Sequence, residues 1–149
     1  MQVIALSQVE APQLWLEQIK GADWSAAQFL YHLVASGTLY STLGEGAEVM
    51  LLVEGEALLS FCTLAPLDDI QPTTLSPWIG FVYTAPAHRG RGCARMLIEA
   101  CLATAKSQGH TAVYISTNHI GLYERYGFTL YDILPDMSGD PSRVYQKKL

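Results

Sequence analysis

The segment His88-Arg89-Gly90-Arg91-Gly92-Cys93-Ala94-Arg95 carries the densest chemistry in the chain. It holds three of the nine Lys and Arg residues of a protein whose formal charge is -5, interleaved with two glycines. Clustering like charges does little for a fold, so the pattern points to an anionic ligand. The segment follows "WIGFVYTAP", an aromatic and β-branched strand-type run closed by a proline, and leads into an apolar run that predicts a helix. Where a strand passes through such a loop into a helix, the first backbone N–H groups lack partners and carry the positive end of the helix dipole. They form a natural phosphate site. Gly90 and Gly92 let a ligand reach the backbone, and consecutive amides can wrap an anion, so the segment suits a pyrophosphate. No Gly-Lys-Ser/Thr closes it and no dinucleotide fingerprint spacing is present, which excludes two common phosphate loops.

Other reactive residue types give weaker signals. Cys62, Cys93 and Cys101 form an odd set without metal-ligand spacing, and reduced thiols are the default reading. Cys93, Leu97 and Cys101 recur every four residues and would share one helix face. Asp68 and Asp69 lie in a proline-rich connection, where a solvated loop is the plain reading and attraction of a cationic amine the functional one. His88 and His119 could each accept a proton near neutral pH, with a surface position the default for both.

These residues need a scaffold, and the hydrophobic patterning supplies one. A chain of 149 residues, 50% hydrophobic and 15% charged, fits one compact domain spanning residues 1–149. Its apolar runs are too short to cross a bilayer and its first residues lack a basic-then-apolar leader, so a cytoplasmic location is expected. A short strand over residues 2–6 precedes helices over 9–20 and from Asp23 or Ser25, either able to cap, to Gly37. Two apolar strands follow, residues 48–53 and 56–64, joined at Glu54-Gly55. After the loop 66–77 and the strand 78–86, a helix carrying Met96, Leu97, Ile98, Ala100, Cys101 and Leu102 stops near Gly109, and "TAVYIST" returns as a strand. Strand, crossover helix and strand make a βαβ unit. A short helix over 120–126, a strand over 128–133 and a final strand over 143–147 complete the pattern.

The spacing Arg89-Gly90-Arg91-Gly92-Cys93-Ala94 after a strand and a proline resembles the acyl-CoA-binding signature of the GNAT superfamily of N-acetyltransferases. "NHIGLYERYGF", residues 118–128, is similar to the family's Asn followed by Leu-Tyr-Glu-Arg-x-Gly-Phe. The resemblance is good from about Glu48 onward. It implies an α+β (mixed α/β) GNAT fold: a central, mostly antiparallel mixed sheet whose parallel fourth and fifth strands splay apart, flanked by helices. It implies acetyl-CoA as co-substrate, gripped by Arg89, Gly90, Arg91, Gly92, Cys93 and Ala94. The pantetheine arm would run along the backbone of Val82, Tyr83 and Thr84, with Asn118 beside it. Tyr123 matches the tyrosine that protonates the departing thiolate, a general-acid role a phenol can fill. Tyr126 reads as core. A Glu stands on the fourth strand in many relatives, whereas "PWIGFVYT" has no acid. Gly80, which weakens that strand, marks a bulge or a close approach.

Charge is divided along the chain. Residues 1–87 hold nine acids and one base, Lys20, whereas the remainder holds five acids and eight bases. An acidic acceptor side would draw a cationic small-molecule or peptide amine, with Asp68 and Asp69 as binding candidates, and would repel nucleic acid. The expected activity is direct acetyl transfer from acetyl-CoA to an amine, without nucleic-acid or membrane partners and with a homodimer left open. The alternative is a non-catalytic acyl-CoA-binding or sensing module that kept the cradle and lost the base.

Overall fold

The computed structural model describes residues 1–149. Its strands are β1 (Gln2–Ala5), β2 (Glu48–Glu54), β3 (Ala57–Ala65), β4 (Trp78–Thr84), β5 (Ala112–Thr117), β6 (Thr129–Pro135) and β7 (Pro141–Lys148). They form one sheet in the order β1-β2-β3-β4-β5-β7-β6. Only β4 and β5 run parallel. The helices are α1 (Gln13–Lys20), α2 (Ser25–Ala35), α3 (Leu39–Leu43) and α4 (Cys93–Ser107).

The two faces of the sheet have separate cores. One is closed by α4, whose Leu97, Ile98 and Cys101 pack against Leu52, Cys62, Ile79, Val113 and Tyr145. The other is closed by α1 and α2, with Leu16, Ile19, Ala27 and Leu30 against Val49, Leu51 and Phe61. Truncating a side chain as buried as Leu97 or Leu30 costs about 2–5 kcal/mol in such cores. No helix is long and apolar enough to cross a membrane.

The parallel pair is where the sheet opens. Its pairing is confined to Trp78 and Tyr114, with the Tyr114 N–H donating to the Pro77 carbonyl at 3.0 Å. Beyond that point β4 bulges: Phe61 faces Tyr83 and Thr63 faces Gly80, which leaves Phe81 and Val82 without register partners on β3. Phe81 takes φ +52°, in the left-handed region that side-chain-bearing residues avoid. The extra residue bends β4 and increases its twist. Strands β4 and β5 therefore diverge toward their C-terminal ends, and a cleft forms between them.

Several elements differ from their sequence patterns. The first helix is shorter than 9–20, because a 3-10 turn occupies Leu6–Gln8 and α1 begins only after Pro12. Neither Asp23 nor Ser25 caps α2. Trp24 takes the cap position with extended backbone, and Asp23 instead accepts a hydrogen bond from the Tyr83 hydroxyl. The five-residue α3 has too few apolar positions to show periodicity. Between Gly121 and Gly127, both at positive φ, only a 3-10 turn over Tyr123–Tyr126 forms in place of a helix. Helix α4 buries one face, leaving Met96 at the surface, rather than most of its circumference.

Candidate active site between β4 and β5

The glycine-rich segment expected to hold an anion opens α4. Gly92 precedes the helix in left-handed conformation at φ +74°, and Gly90 takes φ +78°. The Met96 N–H donates to the Gly92 carbonyl at 3.1 Å, so helix geometry leaves the amides of Cys93, Ala94 and Arg95 free of helical partners. Nothing lies within 4 Å of where a Cβ would stand on Gly90 or Gly92. The cradle is open space lined by backbone, and it fits a diphosphate.

The side chains around this cradle have duties of their own. Arg89 Nε donates to the Thr84 carbonyl at 3.0 Å while its guanidinium lies 5.7 Å from the Tyr83 ring centre. Arg91 reaches His88 Nδ1 at 2.9 Å. Arg95 donates to the Arg125 carbonyl at 2.9 Å and covers the Tyr126 ring, tying α4 to the turn that carries Tyr123. Cys93 is buried in the α4 core, so only its backbone faces the cradle. All three cysteines are free and buried. The Cys62 thiol is pushed well above its ordinary range by hydrogen bonding to Cys101 and by burial, which keeps it protonated.

Beyond the pairing of Trp78 with Tyr114 a cleft lies between the strands. It encloses about 630 Å³, lined by Ile79, Gly80, Phe81 and Val82 of β4, Ile115, Ser116 and Thr117 of β5, and Tyr123 and His119 beyond β5. Of the three β4 residues expected along the carrier arm, Val82 lines the cleft. The carbonyls of Tyr83 and Thr84 already accept from Ser60 Oγ and Arg89 Nε. Asn118 is exposed immediately past the end of β5.

Asp68 and Asp69 part company in the fold. Asp69 is exposed, as a solvated loop predicts, whereas Asp68 turns inward and places its carboxylate against Gly80. A Cβ at position 80 would lie 2.8 Å from Asp68 Cγ and overlap Oδ1. The absent side chain at Gly80 is thus the space that an acid from another segment fills. Three contacts hold the donor loop: Leu67 N–H to the Leu43 carbonyl at 3.0 Å, Met137 N–H to the Asp69 carbonyl at 2.9 Å, and Gln71 Nε2 to the Asp68 carbonyl at 2.8 Å. Burial, reinforced by Asp69 beside it, pushes the Asp68 carboxyl up to about 7. Sequence reasoning marked Asp68 only as part of an acidic pair, and its proximity to Gly80 leaves no sequence signal beyond an unexplained glycine in a strand.

Tyr123 is buried at 5% exposure among Tyr126, Phe128 and Tyr145 and also lines the cleft. Tyr126, expected in the core, is only partly buried at its margin. Burial pushes the Tyr123 phenol well above its ordinary range, so it stays protonated throughout neutral pH. The cleft therefore has a titrating carboxyl and a protonated phenol among the residues that line it.

A mixed sheet opening beside a glycine-rich helix start defines an acyl-carrier-binding fold, and comparison with known proteins places the chain within it. The sequence pattern of the Acetyltransferase (GNAT) family matches residues 14–128. The chain belongs to the GNAT acetyltransferase family. Among solved structures it is similar to the aminoglycoside 6'-N-acetyltransferase of Enterococcus faecium, at 12% identity and TM-score 0.72, covering 99% of this chain and 97% of that one. It is also similar to the Escherichia coli GNAT N-acetyltransferase YhbS in complex with CoA, at 20% identity and TM-score 0.68, covering 99% and 80%. An Elizabethkingia anophelis GNAT acetyltransferase with acetyl-CoA bound aligns at 16% identity and TM-score 0.65, covering 99% and 97%. No curated protein matches at a significant level. Acetyl-CoA is the co-substrate that family membership carries, and the open cradle fits it.

Proposed function

We propose that the protein transfers the acetyl group of acetyl-CoA directly to the nitrogen of a small-molecule or peptide amine. The observation that carries this reading is the Asp68 carboxylate, lodged where Gly80 has no side chain and lining the same cleft as Tyr123. An amine is protonated at neutral pH and must lose a proton before its nitrogen can attack a thioester. A carboxyl raised to about 7 is matched to that task, because it is substantially ionised at working pH and still basic enough to hold the proton it takes.

When bound, acetyl-CoA supplies an acetyl group activated as a thioester. The amides of Cys93, Ala94 and Arg95, with Gly90 and Gly92, hold its diphosphate, while Val82 and the bulged backbone beside it line the path of the arm. Asp68 accepts the proton that the amine gives up as the new nitrogen–carbon bond forms. Tyr123 gives its phenolic proton to the sulfur as the carbon–sulfur bond breaks, and recovers one from solvent as Asp68 releases its own. Burial of Tyr123 and the walls of the cleft limit competing water. The alternative of a sensor without catalysis drew its support from the lack of an acid on β4, and an acid in the cleft at Asp68 counts in favour of catalysis.

The test combines free-thiol release from acetyl-CoA over a panel of amines with calorimetric titration of CoA. kcat/KM should show an acid limb with an apparent pKa near 7, from the raised Asp68 carboxyl. Asp68→Asn should abolish the limb and lower turnover by roughly 100-fold or more, with CoA affinity retained. CoA binding without thiol release for any amine would return the protein to the sensor reading.

A further inference from the structure

One wall of the cleft is not used by the chemistry above. Phe81 keeps an aromatic side chain at φ +52°, where glycine would be free of strain. Its ring lies edge-on to Trp24, with centres 6.4 Å apart, and stacks on Phe29 at 6.3 Å. Trp24 is braced from behind: it stacks on Tyr83 at 5.7 Å, and the Tyr83 hydroxyl donates to Asp23. Phe29 and Met137, at 51% and 67% exposure, are unusually bare for large apolar side chains, and both line the cleft. The only charged residues among the lining are Asp68 and Asp69, with no Lys or Arg.

We infer that the acceptor is a primary amine on a single flat apolar body, an arylalkylamine in chemical class. Its ammonium group would be drawn to Asp68 and Asp69 and its ring would rest against Phe81 and Phe29. Aromatic contacts of this kind reward a planar body, and the two carboxylates reward one cationic head. A polyhydroxylated polycation would lose hydration against this aromatic wall and find too few acceptors to replace it. The backbone strain at Phe81 is consistent with a ring retained for binding at a cost in local conformation.

This inference rests on the proposed acetyl transfer, and two separate readouts distinguish their failures. Turnover is followed by thiol release with 2-phenylethylamine, spermidine and glucosamine at pH 8. Binding is followed by tryptophan fluorescence and calorimetry of the CoA-loaded protein with the same three amines, which needs no chemistry. The aromatic amine should bind at least ~10-fold more tightly than the other two, the scale expected when a ring finds a matching hydrophobic wall. Phe29→Ala, at an exposed position that the fold tolerates, should weaken its binding by roughly fivefold or more without changing CoA affinity, and Phe81→Leu should weaken it by a similar factor. Tighter binding of spermidine or glucosamine, or unchanged binding in both variants, overturns the inference even if thiol is released. Binding in the expected order without thiol release supports the acceptor class and counts against acetyl transfer.

Discussion

The carrier end of the cleft and its acceptor end are built by opposite means. At the carrier end, Gly90, Gly92 and the first turn of α4 are contiguous in sequence, and their proposed function would rest on backbone amides that helix geometry leaves free. Substituents there matter mainly by staying out of the way. At the acceptor end, Asp68 comes from the β3–β4 loop, Gly80 from β4, Phe29 from α2 and Met137 from the β6–β7 turn. In the proposed reaction side chains would carry the chemistry of this second region, and each depends on a neighbour that a different segment supplies. The first region should tolerate change in its side chains but not in its backbone. The second should respond to any substitution that moves Asp68.

Gly80→Ala is the most severe test of that contrast. The added methyl overlaps the Asp68 carboxylate, so turnover should fall by roughly 100-fold or more, as for loss of a general base, while calorimetric CoA affinity stays unchanged. Retained turnover would mean that Asp68 acts from elsewhere or not at all. Gly92→Val attacks the other end. A β-branched residue at φ +74° distorts the cradle, and CoA affinity should drop by about 10-fold or more, with turnover at saturating acetyl-CoA largely kept. Tyr123→Phe should lower kcat by about 10-fold with acetyl-CoA affinity intact, and an equal loss in both would point to packing instead.

A smaller effect separates chemistry from stability. The folded Asp68 carboxyl lies above its ordinary value of 3.8, so the folded protein holds a proton that the unfolded chain releases. Its contribution to stability is therefore full below about pH 4 and is lost as pH rises through about 7. Asp68→Asn should raise the Tm at pH 8 by about 2–4 °C and by clearly less at pH 5, measured by thermal denaturation. The smallest change concerns Thr63, opposite Gly80 on β3, whose buried hydroxyl has no hydrogen-bond partner. Thr63→Val removes an unpaired polar atom at similar volume and should leave stability within about 0.5 kcal/mol of the parent or raise it, as read by denaturant unfolding.

The regions also differ in how much of each could be read before folding. Strand periods, the hairpin (its turn at Gly55-Glu56, one residue past the expected Glu54-Gly55), α4 and the loop that opens it follow from residue spacing, because each is a local pattern with a local cause. Tyr123, the proposed proton donor, stands in a contiguous motif, which is why sequence could nominate it, and it lines the cleft. Arg89 and Arg95 were legible as charge but not as braces, since Thr84 and Arg125, whose carbonyls they hold, are specified only by the folded chain. The start of α2 shows a local signal overruled by a tertiary contact, since Asp23 is engaged by Tyr83, whereas the shortened first helix and the 3-10 turn before Gly127 answer to local breakers, Pro12 and the flanking glycines.

What the amino-acid order alone determined is the proposed carrier side: a strand, two glycines and a helix start suffice, because the binding groups proposed there are main-chain amides whose exposure is a property of the local backbone. What only the tertiary structure decided is the acceptor side. The proposed base is a loop residue 12 positions before Gly80, admitted by the space there, with its proton affinity raised by burial. Neither that space nor that burial exists until the β3–β4 loop has closed over the sheet.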